Sequence, residues 1–170
     1  MTIIEKSIDI DVPVRTAYNQ WTQFESFPRF LEGVESIQQP QRALTHWIAR
    51  FGAVTREFDA EIVEQHPDER LSWLMLTEPR HKGTVTFESL DSGRTRVNLR
   101  LDLTPCGVVH KTGSALNLAQ RRIDRGMESF KEFIEVQGRE TGSWRGEIRS
   151  GRVRPDPALG GPLVPTWPTG

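Results

Sequence analysis

Residues 116–134, LNLAQRRIDRGMESFKEFI, decide how the rest of this chain must fold. Leu116, Ala119, Ile123, Met127, Phe130 and Ile134 recur at spacings of 3, 4, 4, 3 and 4, which draws one apolar stripe along an α-helix. Arg121, Arg122, Arg125, Glu128, Glu132 and Glu135 lie mainly off that stripe. The pattern predicts a long helix from about Thr112 to Gln137, stopped by Gly138, because glycine readily takes the left-handed conformation that ends helices. Gly126, beside Met127, lets such a helix approach its partner closely. A one-sided helix needs an apolar surface to cover, and the upstream sequence supplies one.

That surface is a sheet. Ile4, Ile8, Ile10 and Val12 alternate with Glu5, Ser7, Asp9 and Asp11, the period of two of a half-buried strand. Pro13 suits the first turn of a helix, and Val14, Ala17, Tyr18 and Trp21 follow at helical spacing. Pro28 interrupts, so Ser26 to Leu31 reads as a second short helix. Six more candidate strands follow: 34–39, 44–51, 54–65, 71–77, 84–90 and 95–103. Gly52, His66-Pro67-Asp68-Glu69 and Asp91-Ser92-Gly93 mark turns between them. Short connections imply antiparallel pairing. Phe58, Ala60 and Ile62 oppose Glu57, Asp59 and Glu61, and Val97, Leu99, Leu101 and Leu103 oppose Arg96, Asn98, Arg100 and Asp102. One face is apolar and the other solvated. The expected fold class is therefore α+β: seven antiparallel strands in a curved sheet, wrapped on a long C-terminal helix, with two short helices after strand 1.

Composition sets bounds on this picture. Hydrophobic residues are 36% of the chain and charged residues 26%, enough for one core. No apolar run nears the roughly 20 residues of a membrane span. The start, Met1-Thr2-Ile3-Ile4-Glu5-Lys6, lacks the form of a secretory signal. Cys106 is alone, which suits a reducing cytoplasm. Residues 138–170 hold seven of the 14 glycines and five of the 11 prolines. They read as a flexible tail carrying Trp144, Trp167 and two PxxP matches, so the domain is expected over 1–137. That tail is about +2, whereas residues 1–138 carry −3. An acidic body argues against nucleic-acid binding.

The order of elements resembles the helix-grip fold of the START-like superfamily called SRPBCC, and within it the polyketide cyclase/dehydrase and coenzyme Q-binding START-type group. The resemblance rests on residues 8–21 (IDIDVPVRTAYNQW), 24–31 (FESFPRFL), His46-Trp47 through Arg56 to Ile62, 67–73 (PDERLSW), 83–87 (GTVTF) and 93–97 (GRTRV). Together they span residues 3 to about 137. It implies a cavity between sheet and long helix that takes an apolar or aromatic small molecule of polyketide, lipid or quinone type. Members of the group also include cyclases and a ribosome-binding toxin, so a polyketide cyclase/dehydratase and an interaction module are the alternatives. It implies no cofactor.

The residues offer a cavity lining: Tyr18, Trp21, Trp47, Arg56, Phe58, Trp73, Phe87, Leu99, Met127 and Phe130. Aromatic rings stack on flat ligands while their N–H or O–H holds a polar end, and methionine adapts to varied apolar shapes. Arg56 shares the parity of Phe58 and Ile62. It is either a ligand-facing cation that steadies an enolate or carboxylate, or a strand-end arginine with its head in water. With Tyr18 it is the catalytic candidate. His46, His66, His81 and His110 are scattered without metal-ligand spacing, and Cys106 lacks a close basic neighbour. Arg80-His81-Lys82, and Arg121, Arg122 and Arg125, are small basic clusters that either meet an anionic group or lie on solvated faces.

Overall fold

A computed structural model of the protein describes residues 2–51, 53–77, 80–103 and 113–155. Cys106, His110, the turn residue Gly52, and Trp167 with both PxxP matches lie outside the described residues. Strands β1 (Thr2–Ile10), β2 (Val34–Gln41), β3 (Leu44–Phe51), β4 (Val54–His66), β5 (Arg70–Met75), β6 (His81–Asp91) and β7 (Arg94–Leu103) form an antiparallel sheet in the order β1-β7-β6-β5-β4-β3-β2. Helix α1 (Val14–Trp21) and a 3₁₀ helix (Phe24–Arg29) separate β1 from β2, and helix α2 runs Gly113–Gln137. The seven strands, the two short helices and the long helix match the expected order.

Register shifts at Ile62/Glu64 and Ser89/Asp91 supply the local bends that curve such a sheet. Its outer face is solvated and carries exposed ion pairs such as Arg96–Asp9 at 2.8 Å and Arg100–Glu5 at 3.2 Å. Exposed pairs of this kind add little stability. The inner face holds Ile10, Val85, Val97 and Leu71, all buried, against Phe130 and Ile134 of α2. The C-terminal half of α2 is also tied to β1 by polar contacts. Lys131 Nζ donates to Asp9 O and Glu135 Oε2, both at 2.7 Å, and Asp11 N donates to Glu135 Oε2 at 2.7 Å. Gly138 ends the helix as expected, with φ +73° and its N–H on Ile134 O at 2.8 Å.

Beyond Gly138 the described chain continues to residue 155 and packs back onto α1 and β4. Residues 139–146 form a strap across α1, followed by strands β8 (Glu147–Arg149) and β9 (Arg152–Arg154). β4 extends past the end of β3, and β8 pairs with its overhang at Glu64 and Gln65. Ser150 and Gly151 both have positive φ (49° and 77°), the conformation that closes a two-residue hairpin between twisted strands. Trp144 and Ile148 are buried. The strap also explains the buried polar face of α1. Thr141 N donates to Gln20 Oε1 at 2.8 Å, Trp144 N to Thr22 Oγ1 at 3.1 Å, and Asn19 Nδ2 to Glu140 Oε1 at 2.8 Å. Composition registered the glycines and arginines of this segment but not the partners waiting for them.

Candidate functional site: an apolar cavity under helix α2

Phe130 and Ile134, in the C-terminal half of α2, are fully buried in the core. Under Ile123, Gly126, Met127 and Phe130 lies a cavity of about 250 Å³. Its floor comes from alternate residues of four strands: Thr45 and Trp47 on β3; Phe58, Ala60 and Ile62 on β4; Leu71, Trp73 and Met75 on β5; Leu99 and Leu101 on β7. His81, the first residue of β6, joins them. Antiparallel register sets Trp47 opposite Phe58, and the two rings stack at 5.6 Å and 17°. The remaining wall is the 3₁₀ helix, whose threefold repeat points Phe24, Phe27 and Phe30 the same way, with Leu31 after them. Phe27 meets Trp21 edge-on at 5.6 Å and Trp47 at 6.1 Å.

One glycine keeps this space open. Gly83 pairs with Trp73 across β5 and β6, and a Cβ at Gly83 would lie 2.0 Å from Trp73 Cζ2. The missing side chain lets the indole lie against the sheet. In that pose Trp73 Nε1 donates to His81 Nε2 at 3.3 Å. A histidine that accepts at Nε2 in its neutral form carries its proton on Nδ1. Burial pushes the His81 pKa below its ordinary 6.5, so the ring is a neutral donor at neutral pH. A second polar lining group, Thr45, is already engaged: its hydroxyl donates to Ala60 O at 3.1 Å and accepts from Trp47 Nε1 at 2.8 Å. Among the described residues no cluster of three or more His, Cys, Asp or Glu could hold a metal ion.

Seven of the ten residues expected to line a cavity do so: Trp21, Trp47, Phe58, Trp73, Leu99, Met127 and Phe130. Phe87 and Tyr18 sit in the packed core, ring edge to ring at 5.4 Å. Tyr18 is fully buried with the Arg145 guanidinium 5.5 Å over its ring. Arg145 in turn donates to Asn19 Oδ1 and Asp68 Oδ2, each at 2.7 Å. Arg56 has the inward parity but is exposed, opposite Ala49 near the start of β4 and away from the cavity lining. Parity alone could not show how far the helix reaches over the sheet. Sequence reasoning passed over the phenylalanines of the 3₁₀ helix, although their spacing of three was visible, and His81. Starting β6 at residue 81 rather than 84 places His81, Gly83, Val85 and Phe87 on one parity, which was the available signal.

A curved antiparallel sheet closed by a C-terminal helix over an apolar hollow defines a helix-grip, START-like domain. The chain belongs to the family described as polyketide cyclase / dehydrase and lipid transport, whose model matches residues 10–132. A curated relative, the uncharacterized 17.2 kDa protein in the melC2-rnhH intergenic region of Streptomyces lincolnensis, is 49% identical over 149 residues, covering 87% of this chain and 99% of that protein. The Zhui aromatase/cyclase from Streptomyces sp. R1128 shares the fold with a TM-score of 0.66 at 10% identity, over 84% of this chain and 98% of that one. A START superfamily protein from Mycobacterium smegmatis gives 0.64 at 10% identity, over 79% and 95%. A conserved protein from Geobacillus kaustophilus gives 0.68 at 13%, over 82% and 98%. No helix among the described residues is long and apolar enough to cross a membrane.

Proposed function

We propose that this protein binds an apolar or aromatic small molecule, of polyketide, lipid or quinone type, in the cavity between sheet and α2, and does so in the cytoplasm. The observation that carries this reading is the cavity of about 250 Å³ walled by Trp21, Trp47, Phe58, Trp73, Met127 and Phe130. Binding sites for drug-sized ligands are mostly apolar hollows of about 300–1,000 Å³ with few polar groups, so a compact ligand body fits best. Native mass spectrometry of freshly purified protein, with titration of an apolar fluorescent probe, tests it. Met127→Trp and Ala60→Leu fill the space from opposite walls, and both are expected to abolish probe uptake while the far-ultraviolet circular dichroism is kept. Unchanged uptake in both folded variants would refute the reading.

A cyclase or dehydratase acting on a bound poly-β-ketone chain is the second reading, and His81 favours it. A shaped cavity with one positioned proton donor is what steering an enolisation needs. His81 Nδ1–H is such a donor, supported from behind by Trp73. Arg56 and Tyr18 remain testable alternatives for the same role. If His81→Leu abolishes turnover while Arg56→Ala and Tyr18→Phe preserve it, the role belongs to His81.

A further inference from the structure

The cavity has a charged neighbour. A groove of about 500 Å³ is lined by Arg50, Arg121, Arg122 and Arg125, with Glu32 as its acidic residue. Arg122, Gly126 and Leu31 line both the groove and the cavity, so the two spaces meet at these three residues. The helix dictates this arrangement. At 3.6 residues per turn, Arg121, Arg122 and Arg125 fall within about 100° of one another, while Ile123, Met127, Phe130 and Ile134 occupy a separate arc of about 60°. Gly126 lies between the arcs, and with no side chain there Leu31 packs close: a Cβ at Gly126 would meet Leu31 Cδ2 at 2.9 Å. The passage from apolar to basic surface is therefore short. It contrasts with a chain whose net charge is −1. Two of the groove's arginines are in solvent-exposed ion pairs, Arg125–Glu32 and Arg50–Glu35, each at 3.1 Å. Pairs of that kind are weak and exchange readily for a better anion.

We propose that the ligand is an anionic amphiphile: its apolar body enters the cavity, and its carboxylate or phosphate head lies in the arginine groove beside Arg122. Guanidinium groups match both anions through paired N–H donors. The inference rests on the cavity reading and narrows it to a ligand class.

The test is a matched series with one ten-carbon body: decanoate, decyl phosphate, decanol and decyltrimethylammonium, plus inorganic phosphate alone. Quenching of the tryptophans that line the cavity reports binding at low ionic strength. Decanoate or decyl phosphate is expected to bind at least tenfold more tightly than decanol, and whichever is tighter identifies the head. The advantage should collapse in about 1 M NaCl, where charges are screened beyond about 3 Å. It should also collapse in Arg122→Gln and in the exposed pair Arg121→Gln/Arg125→Gln, with thermal unfolding confirming that each variant is folded. Equal binding of decanoate, decanol and decyltrimethylammonium would overturn the head-group assignment and leave the cavity reading standing. Inorganic phosphate binding as tightly as decyl phosphate would overturn it too, because the groove would then act without the cavity. If none of the ten-carbon probes binds, the cavity reading itself fails and takes this one with it.

Discussion

At the scale of single residues, Gly83 and His81 set the character of the cavity through Trp73. Replacing Gly83 by alanine places a methyl group where the indole lies, and the ring, not the strand, must move. Overpacking of this kind costs about 1–3 kcal/mol. Gly83→Ala is therefore expected to lower the unfolding free energy in urea by that amount and to change both probe affinity and tryptophan emission; a variant indistinguishable from the parent would contradict the placement. His81 makes a prediction about pH. Burial depresses its pKa, so below about pH 6.5 the unfolded chain takes up a proton that the folded chain resists. Its contribution to stability is thus complete above 6.5 and is lost as pH falls from there toward the depressed folded value. His46 has the opposite sign. Its ring N–H groups donate to the carboxylates of Asp59, at 2.6 Å, and Glu57, which raises its pKa. Its contribution is complete below 6.5 and disappears as pH rises through the raised folded value. Urea midpoints followed from pH 5 to 8.5 should show the acid-side loss shrink in His81→Leu and the alkaline-side loss shrink in His46→Asn.

At the scale of elements, what the sequence revealed and what it hid divide along a physical line. Periodicity reports whether one face of an element is buried, and so β1, β4 and β7 and the stripe on α2 were all legible. It does not report which polar groups will find partners. On α1, Tyr18 and Trp21 announced an apolar face, but the burial of Asn19, Gln20 and Thr22 depends on a strap more than a hundred residues away. The strap itself, residues 139–146, looks like linker because its binding is by backbone and single side chains rather than by a repeating stripe. In the cavity, the aromatic floor was readable from strand parity, whereas the exclusion of Arg56 and the inclusion of His81 depended on where helix and strand begin. The strap carries its own prediction. Truncation after Gln137 removes the partners of three buried polar residues and uncovers the surface under Trp144 and Ile148. Unsatisfied buried groups cost about 1–3 kcal/mol each. A 1–137 fragment should have an unfolding free energy several kcal/mol below that of the full chain, read from denaturant titration, and Trp144→Ala should lose about 3–5 kcal/mol, as large aromatic truncations do. A fragment as stable as the full chain would show that the domain ends at 137 after all.

At the scale of the whole molecule, the described residues of α2 are buried unequally along its length, and this carries a prediction about how the cavity opens. Its C-terminal half is fixed by Phe130 and Ile134 in the core and by the Lys131–Glu135 contacts to β1. Over the preceding turns, Ile123 is half-buried beside the cavity and Leu118, beside the arginine groove, is 55% exposed. Local opening takes least free energy where few apolar contacts are broken. Amide exchange should therefore be faster across residues 118–126 than across 130–136 in the unliganded protein. Filling the cavity supplies the missing contacts, so an apolar probe should slow exchange in residues 118–126 while leaving the C-terminal half nearly unchanged. An anionic probe should extend that protection to the peptides around Glu32 and Arg50, across the groove from Arg122. Met127→Trp separates cause from coincidence: it fills the cavity with the protein's own side chain, so it should reproduce the protection of 118–126 without ligand and abolish any further response to the probe. Equal exchange along the helix, or protection by probe confined to the C-terminal half, would mean that ligand enters by another route.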